Sequence, residues 1–170
     1  MATKRRYEPF VERALALGAA EAKIIDCATV ATAAWVRMKC QFGCDGWASN
    51  LCCPPHTPTP DETRRVLDCY EKAVLIHNTK TGRGVSKVVV KLEREIFLEG
   101  HHKAFGFGAG PCWRCKECEG RQCRHPDTTR PSMESCGIDV FATARANGYP
   151  IEVVRNRTCD QNYFGLVLIE

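Results

Sequence analysis

Apolar positions along the chain recur with two periods, one helical and one strand-like, and these lay out the elements. Pro9 to Leu17 predicts a short first helix, with proline at its start and Gly18 just beyond its end. Ala22 to Asp26 reads as a strand. Thr59-Pro60-Asp61-Glu62 combines a capping residue, a first-turn proline and a glutamate three positions after the cap. That capping box predicts a helix running to Tyr70 that buries Val66, Leu67 and Tyr70. Ala73 to His77 is the next strand. After the Thr81-Gly82-Arg83-Gly84 turn, Val85, Val88, Val89, Leu92 and Ile96 recur at helical spacing, so an amphipathic helix extends from Val85 to His102.

Ala104 to Phe107 predicts a third strand leading into Gly108-Ala109-Gly110-Pro111, with cysteine-rich loops following to Met133. Gly137 to Ala146 reads as helix, stopped by Asn147-Gly148. Ile151 to Val154 and Tyr163 to Ile169 read as strands, the last apolar on both faces as a central strand is. Strands alternating with helices predict an α/β (or α+β) fold, a layered mixed sheet of about five strands with flanking helices.

With 170 residues, 44% hydrophobic and 26% charged, the chain is long enough to bury a core without cross-links and does not read as disordered. The expected organisation is a single domain over residues 1–170. Its apolar runs are short or broken, so no membrane span is predicted. The N-terminal stretch lacks the apolar core of a secretory signal, because Glu12 and Arg13 interrupt it. A cytoplasmic location is therefore expected. The net charge of +4, from 24 basic and 20 acidic residues, is too mild to argue for nucleic acid.

The 12 cysteines change the picture. In a reducing compartment such density means metal or redox chemistry more often than disulfides. They fall mainly into two loops, about residues 37–58 and 108–137. One group is Cys112-x2-Cys115-x2-Cys118-x4-Cys123, followed by Arg124-His125-Pro126. Spacings of two let one tight turn wrap its thiolates around a cube-shaped cluster, with loop amides aimed at the sulfurs. Bacterial-type ferredoxins use a related run, with a shorter last gap and an adjacent proline. The match here is to that chemistry, not to that fold. Zinc sites usually take cysteines in two separated pairs, so the even spacing favours iron–sulfur.

The other group is Cys40-x3-Cys44-x7-Cys52-Cys53-Pro54-Pro55. Successive side chains in an extended segment point in different directions, so one of Cys52 and Cys53 is expected to be a ligand. The diproline behind Cys53 favours that residue. The fourth ligand must then come from Cys136, Cys123 or Cys27, or be absent, in which case one iron keeps an open position. Cys69 reads as core and Cys159 as structural or incidental. His56 and His125 stand beside candidate ligands, where they are either cluster-tuning or plain polar loop residues. Arg37, Lys39, Arg114, Lys116, Arg121 and Arg124 read as counter-charges to clusters, each of which carries about −2 with its thiolates.

The ordered set Lys39-Cys40-Gln41-Phe42-Gly43-Cys44, Cys53-Pro54-Pro55, Gly110-Pro111-Cys112-x2-Cys115-x2-Cys118, Cys123-Arg124-His125-Pro126, Arg130-Pro131-Ser132-Met133-Glu134 and Cys136-Gly137-Ile138-Asp139-Val140 resembles a family of predicted metal-binding proteins of unknown function, found mostly in anaerobic bacteria and archaea. The resemblance spans Ala22 to Glu170, and Cys27, Cys52 and Cys69 lie outside its pattern. It implies a stand-alone cytoplasmic metalloprotein carrying iron–sulfur clusters, a companion of anaerobic redox or corrinoid-linked methyl metabolism. The leading expectation is two [4Fe–4S] clusters, held by Cys112, Cys115 and Cys118 and by Cys40, Cys44 and Cys53, with Cys123 and Cys136 completing them. Such a protein would exchange single electrons with a redox protein partner. The rivals are an iron–sulfur enzyme with an open iron at the Cys40/Cys44/Cys53 site and a zinc-stabilised interaction module.

Overall fold

Along the second strand Ala73 and Leu75 face one side and Val74 and Ile76 the other, and all four are fully buried. A strand with both faces covered sits at the centre of a layered fold. The computed structural model describes residues 2–156 and 158–170. Its sheet contains β1 (Glu21–Asp26), β2 (Lys72–Asn78), β3 (Phe105–Phe107) and β4 (Tyr163–Leu168) in the order β1-β2-β4-β3. Every neighbouring pair is antiparallel. The helices are α1 (Ala2–Ala16), α2 (Ala34–Gly43), α3 (Pro60–Leu67), α4 (Gly82–Leu98) and α5 (Val140–Ala146).

One face of the sheet, through Val74, Ile76 and Val167, packs against Val85, Val89, Leu92 and Ile96 of α4 and Tyr7 and Ala14 of α1. The opposite face, through Leu75, Leu166 and Leu168, packs against Leu67 of α3, Ala144 of α5 and the segment carrying Met133, Cys136 and Ile138. The α4 contact is close. A Cβ at Gly165 would lie 2.6 Å from Val85 Cγ1 and 2.7 Å from Val89 Cγ2, so only glycine fits beneath the helix. The capping box forms as the sequence predicts: the Glu62 amide donates to Thr59 Oγ1 at 3.3 Å and the Thr59 amide to Glu62 Oε2 at 2.7 Å.

The layered α/β class is as expected, but four details differ. The sheet of described residues has four strands, all antiparallel, rather than a mixed set of five. Ile151–Val154 forms no strand: it follows Pro150, and Val153 and Val154 are 63% and 47% exposed, so β-branched composition alone did not give it a partner. A helix, α2, occupies Ala34–Gly43, where a cluster loop was expected to begin. The third helix ends at Leu67, which leaves Val66 at 39% exposure and Cys69 exposed rather than in the core.

Gly165→Ala should destabilise the fold by about 1–3 kcal/mol through overpacking. A urea unfolding midpoint measures this, and Val85→Ala in the same chain should recover part of the loss. Equal midpoints for Gly165→Ala and the parent would disprove the close α4–β4 contact.

Candidate metal centre

Backbone bonds fix α2 beside the second cysteine-bearing region. The Ala33 amide donates to the Gly137 carbonyl at 2.9 Å and the Asp139 amide to the Ala31 carbonyl at 2.9 Å. The Arg37 guanidinium donates to the Pro58 carbonyl at 2.8 Å and to the Ser135 carbonyl at 3.2 Å. Cys40 therefore rides on the last turn of α2. The helix ends at Gly43, and Cys44 turns the chain out with an extended backbone, φ −141° and ψ 128°.

The following loop is organised around sulfur. The Gly46 amide donates to Cys44 Sγ at 3.3 Å. Asn50 Nδ2 donates to Cys53 Sγ at 3.3 Å, while its Oδ1 accepts the Cys52 amide at 2.9 Å. A Cβ at Gly46 would sit 3.3 Å from Cys44 Sγ and 3.4 Å from Cys53 Sγ, so the chain passes close to both sulfurs there. Cys40, Cys44 and Cys53 all line one cavity of about 530 Å³, with Trp35, Trp47, Pro54, Pro111 and Phe141 among its apolar walls.

The second group hangs from the end of β3. Its base is closed where the Gly108 amide donates to the Pro131 carbonyl at 2.8 Å and the Met133 amide to the Gly108 carbonyl at 3.1 Å. Arg130 pins this base to the core: its guanidinium donates to Glu93 of α4 at 2.6 and 2.5 Å, and Glu93 also accepts the Gly106 amide at 2.8 Å. Within the loop the Arg114 guanidinium donates to the Thr128 carbonyl at 3.0 Å, and the His125 amide donates to Cys123 Sγ at 3.4 Å. Cys112, Cys115, Cys118 and Cys123 surround a small space of about 30 Å³.

Cys52 joins them. The sequence reading set this residue aside, yet its side chain lines the same small space and its thiol lies within hydrogen-bonding reach of Cys112. Adjacent cysteines thus serve opposite sides of one stretch of chain, Cys53 with Cys40 and Cys44, Cys52 with the Cys112–Cys123 loop. The divergence of successive side chains is the signal that could have found this; reading it as a choice between the two residues missed it.

Neither Cys136 nor Cys27 is among the residues around either space. Both are fully buried in the core beside Leu67 and Ile138. The Ser132–Cys136 segment instead presents Ser132, Glu134 and Ser135 to the larger cavity. Glu134 Oε2 is enclosed with no hydrogen-bond partner among the described residues, and the Glu134 carbonyl lies 3.9 Å from Cys40 Sγ. Cys159 sits apart, its Sγ 3.4 Å from Asn156 Oδ1. His56 is exposed, and at His125 it is the amide, not the ring, that meets a sulfur.

Ionisation of Cys40, Cys52 and Cys53 is opposed. Burial pushes the Cys52 thiol up to about 12, with Cys112 and Cys123 adding to it. Burial also raises Cys40, reinforced by Cys44 and Glu134, and raises Cys53 against the lowering bond from Asn50. Crowded thiols of this kind ionise when a cationic centre compensates them, and metal uptake then releases their protons. The donor set is soft and almost wholly sulfur, with three amide or carboxamide N–H donors on Cys44, Cys53 and Cys123. That suits thiolate-bound metal, including iron–sulfur clusters. Among the described residues no three His, Cys, Asp or Glu side chains converge on a point as they do around one ion.

Among known families, a model described as Predicted metal-binding protein (DUF2284) matches residues 23–169. No curated protein and no solved structure matches the chain.

The two core thiols differ from exposed Cys69 in their burial. Cys27 and Cys136 are each pushed up to about 12 by burial. At pH 8 roughly one in ten thousand of such thiols is ionised, and thiolate is the reactive form. Native protein treated with iodoacetamide at pH 8 should carry label on exposed Cys69 and none on Cys27 or Cys136 by peptide mass spectrometry. Rapid labelling of Cys136 would remove it from the core.

Proposed function

The chain belongs to this family of predicted metal-binding proteins, and on that premise we propose that it holds two [4Fe–4S] clusters and exchanges single electrons with a redox partner in anaerobic metabolism. The observation that carries the reading is the splitting of Cys52 and Cys53. It divides eight thiols into a group of five, Cys52, Cys112, Cys115, Cys118 and Cys123, and a group of three, Cys40, Cys44 and Cys53. Two thiolate sites then stand on either side of one peptide, a short path for an electron.

When bound, the clusters supply reversible one-electron redox chemistry. The protein's residues hold and tune them. Cys112, Cys115 and Cys118 with Cys52 or Cys123 provide one complete thiolate set. The amide of His125 hydrogen-bonds the sulfur of Cys123, and Gly46 and Asn50 do the same for Cys44 and Cys53. Hydrogen bonds to ligand sulfur favour the more negative, reduced state and so raise the potential. The small space inside the five-thiol group leaves no room for a substrate beside it.

The larger cavity favours a second reading, an iron–sulfur enzyme with an open position at Cys40, Cys44 and Cys53. Three thiols and no fourth line that space, and about 530 Å³ falls within the range of small-molecule sites. Glu134, with its unpartnered oxygen, is the polar side chain nearest in kind to a further ligand or substrate contact there.

Anaerobically purified protein should contain eight irons and eight acid-labile sulfides. Cys115→Ser should remove about half the iron, because thiolate is the preferred ligand, while Cys69→Ser and Cys136→Ser should leave it unchanged. A colourless protein with zinc and no sulfide would establish the interaction-module alternative instead. For the cavity, cyanide added to the reduced protein should change the electron paramagnetic resonance signal that Cys44→Ser abolishes and leave the other signal untouched. Identical spectra with and without cyanide would leave electron transfer as the sole reading.

A further inference from the structure

Three cations crowd one aromatic ring beside Cys112. The Arg83 guanidinium lies 5.6 Å from the Trp113 ring centre, the Lys87 ammonium 5.5 Å and the Arg114 guanidinium 4.6 Å. Arg83 and Lys87 project one turn apart from the start of α4, and both are exposed. Trp113 packs against the same helix, sharing a crevice with Ser86 and Val90. None of the three cations makes an ion pair among the described residues, although nine other pairs are formed there. Arg114 is merely oriented, by its bond to the Thr128 carbonyl.

The ring attracts each cation while the cations repel one another, and no carboxylate among the described residues pairs with any of them. A half-buried tryptophan ringed by positive charge without ion-pair partners is complementary to a negative surface with an apolar centre. It adjoins the five-thiol group, since Cys112 and Arg114 border both the tryptophan's crevice and the small space among the thiols. We propose that Trp113 with Arg83, Lys87 and Arg114 is the docking face for an acidic one-electron carrier protein. This rests on the cluster reading above and adds the place and charge of the partner. One electron passes from the reduced carrier, which is oxidised by one equivalent, to the site at Cys52 and Cys112–Cys123, which is reduced by one; no bond forms and no proton moves. Positive charge at the rim steers the encounter, so it governs association rate and its salt dependence.

The test is stopped-flow electron exchange between the anaerobically purified protein and a reduced, acidic plant-type ferredoxin as probe. The second-order rate constant should fall steeply between 20 mM and 500 mM salt. Arg83→Glu/Lys87→Glu should slow exchange about tenfold at low salt and match the parent at high salt, with Lys87→Gln between them. Arg65→Glu, a single charge reversal on the helix covering the sheet's other face, should have no effect. Iron and sulfide content, measured on each variant, must equal the parent's. Full cluster content with a rate indifferent to salt or to the double substitution overturns the docking face alone. Absence of iron and sulfide from the parent overturns the cluster reading, and the docking face with it. Tight binding of a twelve-nucleotide oligouridine that the double substitution abolishes would make the platform a nucleic-acid site and overturn the proposal.

Discussion

Successive side chains in a non-helical segment diverge, and at Cys52–Cys53 that constraint organises the whole cysteine-bearing half of the molecule. One thiol must face away from the other. The loop from Cys44 to Thr57 therefore borders two spaces, with Cys53 on one and Cys52 on the other. Asn50 fixes the divergence by holding the Cys52 amide with its oxygen and Cys53 Sγ with its nitrogen. One carboxamide thus sets the orientation of both neighbours, and its removal would free the pair to rotate.

Precision at that loop depends on the antiparallel sheet behind it. The 109–131 loop leaves the end of β3 and returns through Gly108, Pro131 and Met133, so its two ends are tied together at the sheet. The Arg130–Glu93 pair clamps the same base to α4. This is a partly buried, bidentate pair whose acid also accepts a backbone amide, so all of its partners are in place. Removal of either member would leave the other charge uncompensated, which costs more than the pair contributes. The long cysteine loop has no regular secondary structure, and it is these ties, rather than its own hydrogen bonding, that limit where its thiols can go.

How much of this was legible in the sequence follows the range of the interactions. The capping box at Thr59–Glu62 and the apolar stripe of α4 are local or periodic, and both stood out from residue types alone. Helix α2 was not legible because Ala33 supplies no capping side chain, and its anchors, the Gly137 carbonyl and the Asp139 amide, are backbone partners without a signature. The two cysteine loops were visible from spacing, whereas the assignment of individual thiols to sides was not. Cys136 shows why. A short 3₁₀ turn over Glu134–Cys136 carries its thiol into the core, so Glu134, two residues earlier, lines the cavity in its place. Residue type made Cys136 a candidate ligand; the direction of a single turn is what places its thiol in the core of this structure.

The two spaces differ in volume by more than tenfold, about 530 Å³ against about 30 Å³, and that difference bears on how they could share one task. In the two-cluster reading, a site with no room beside its ligands is suited to taking up and releasing electrons. A site beside an apolar cavity with Trp35 and Trp47 in its walls can also hold a partner for those electrons. The tryptophan that carries three cations, Trp113, lies with the small site, and the partition formed by Cys52 and Cys53 separates that site from the cavity. In the two-cluster reading the order of passage is therefore set by the architecture: charge enters where the surface is positive and closed, crosses one peptide, and arrives where the protein has left room.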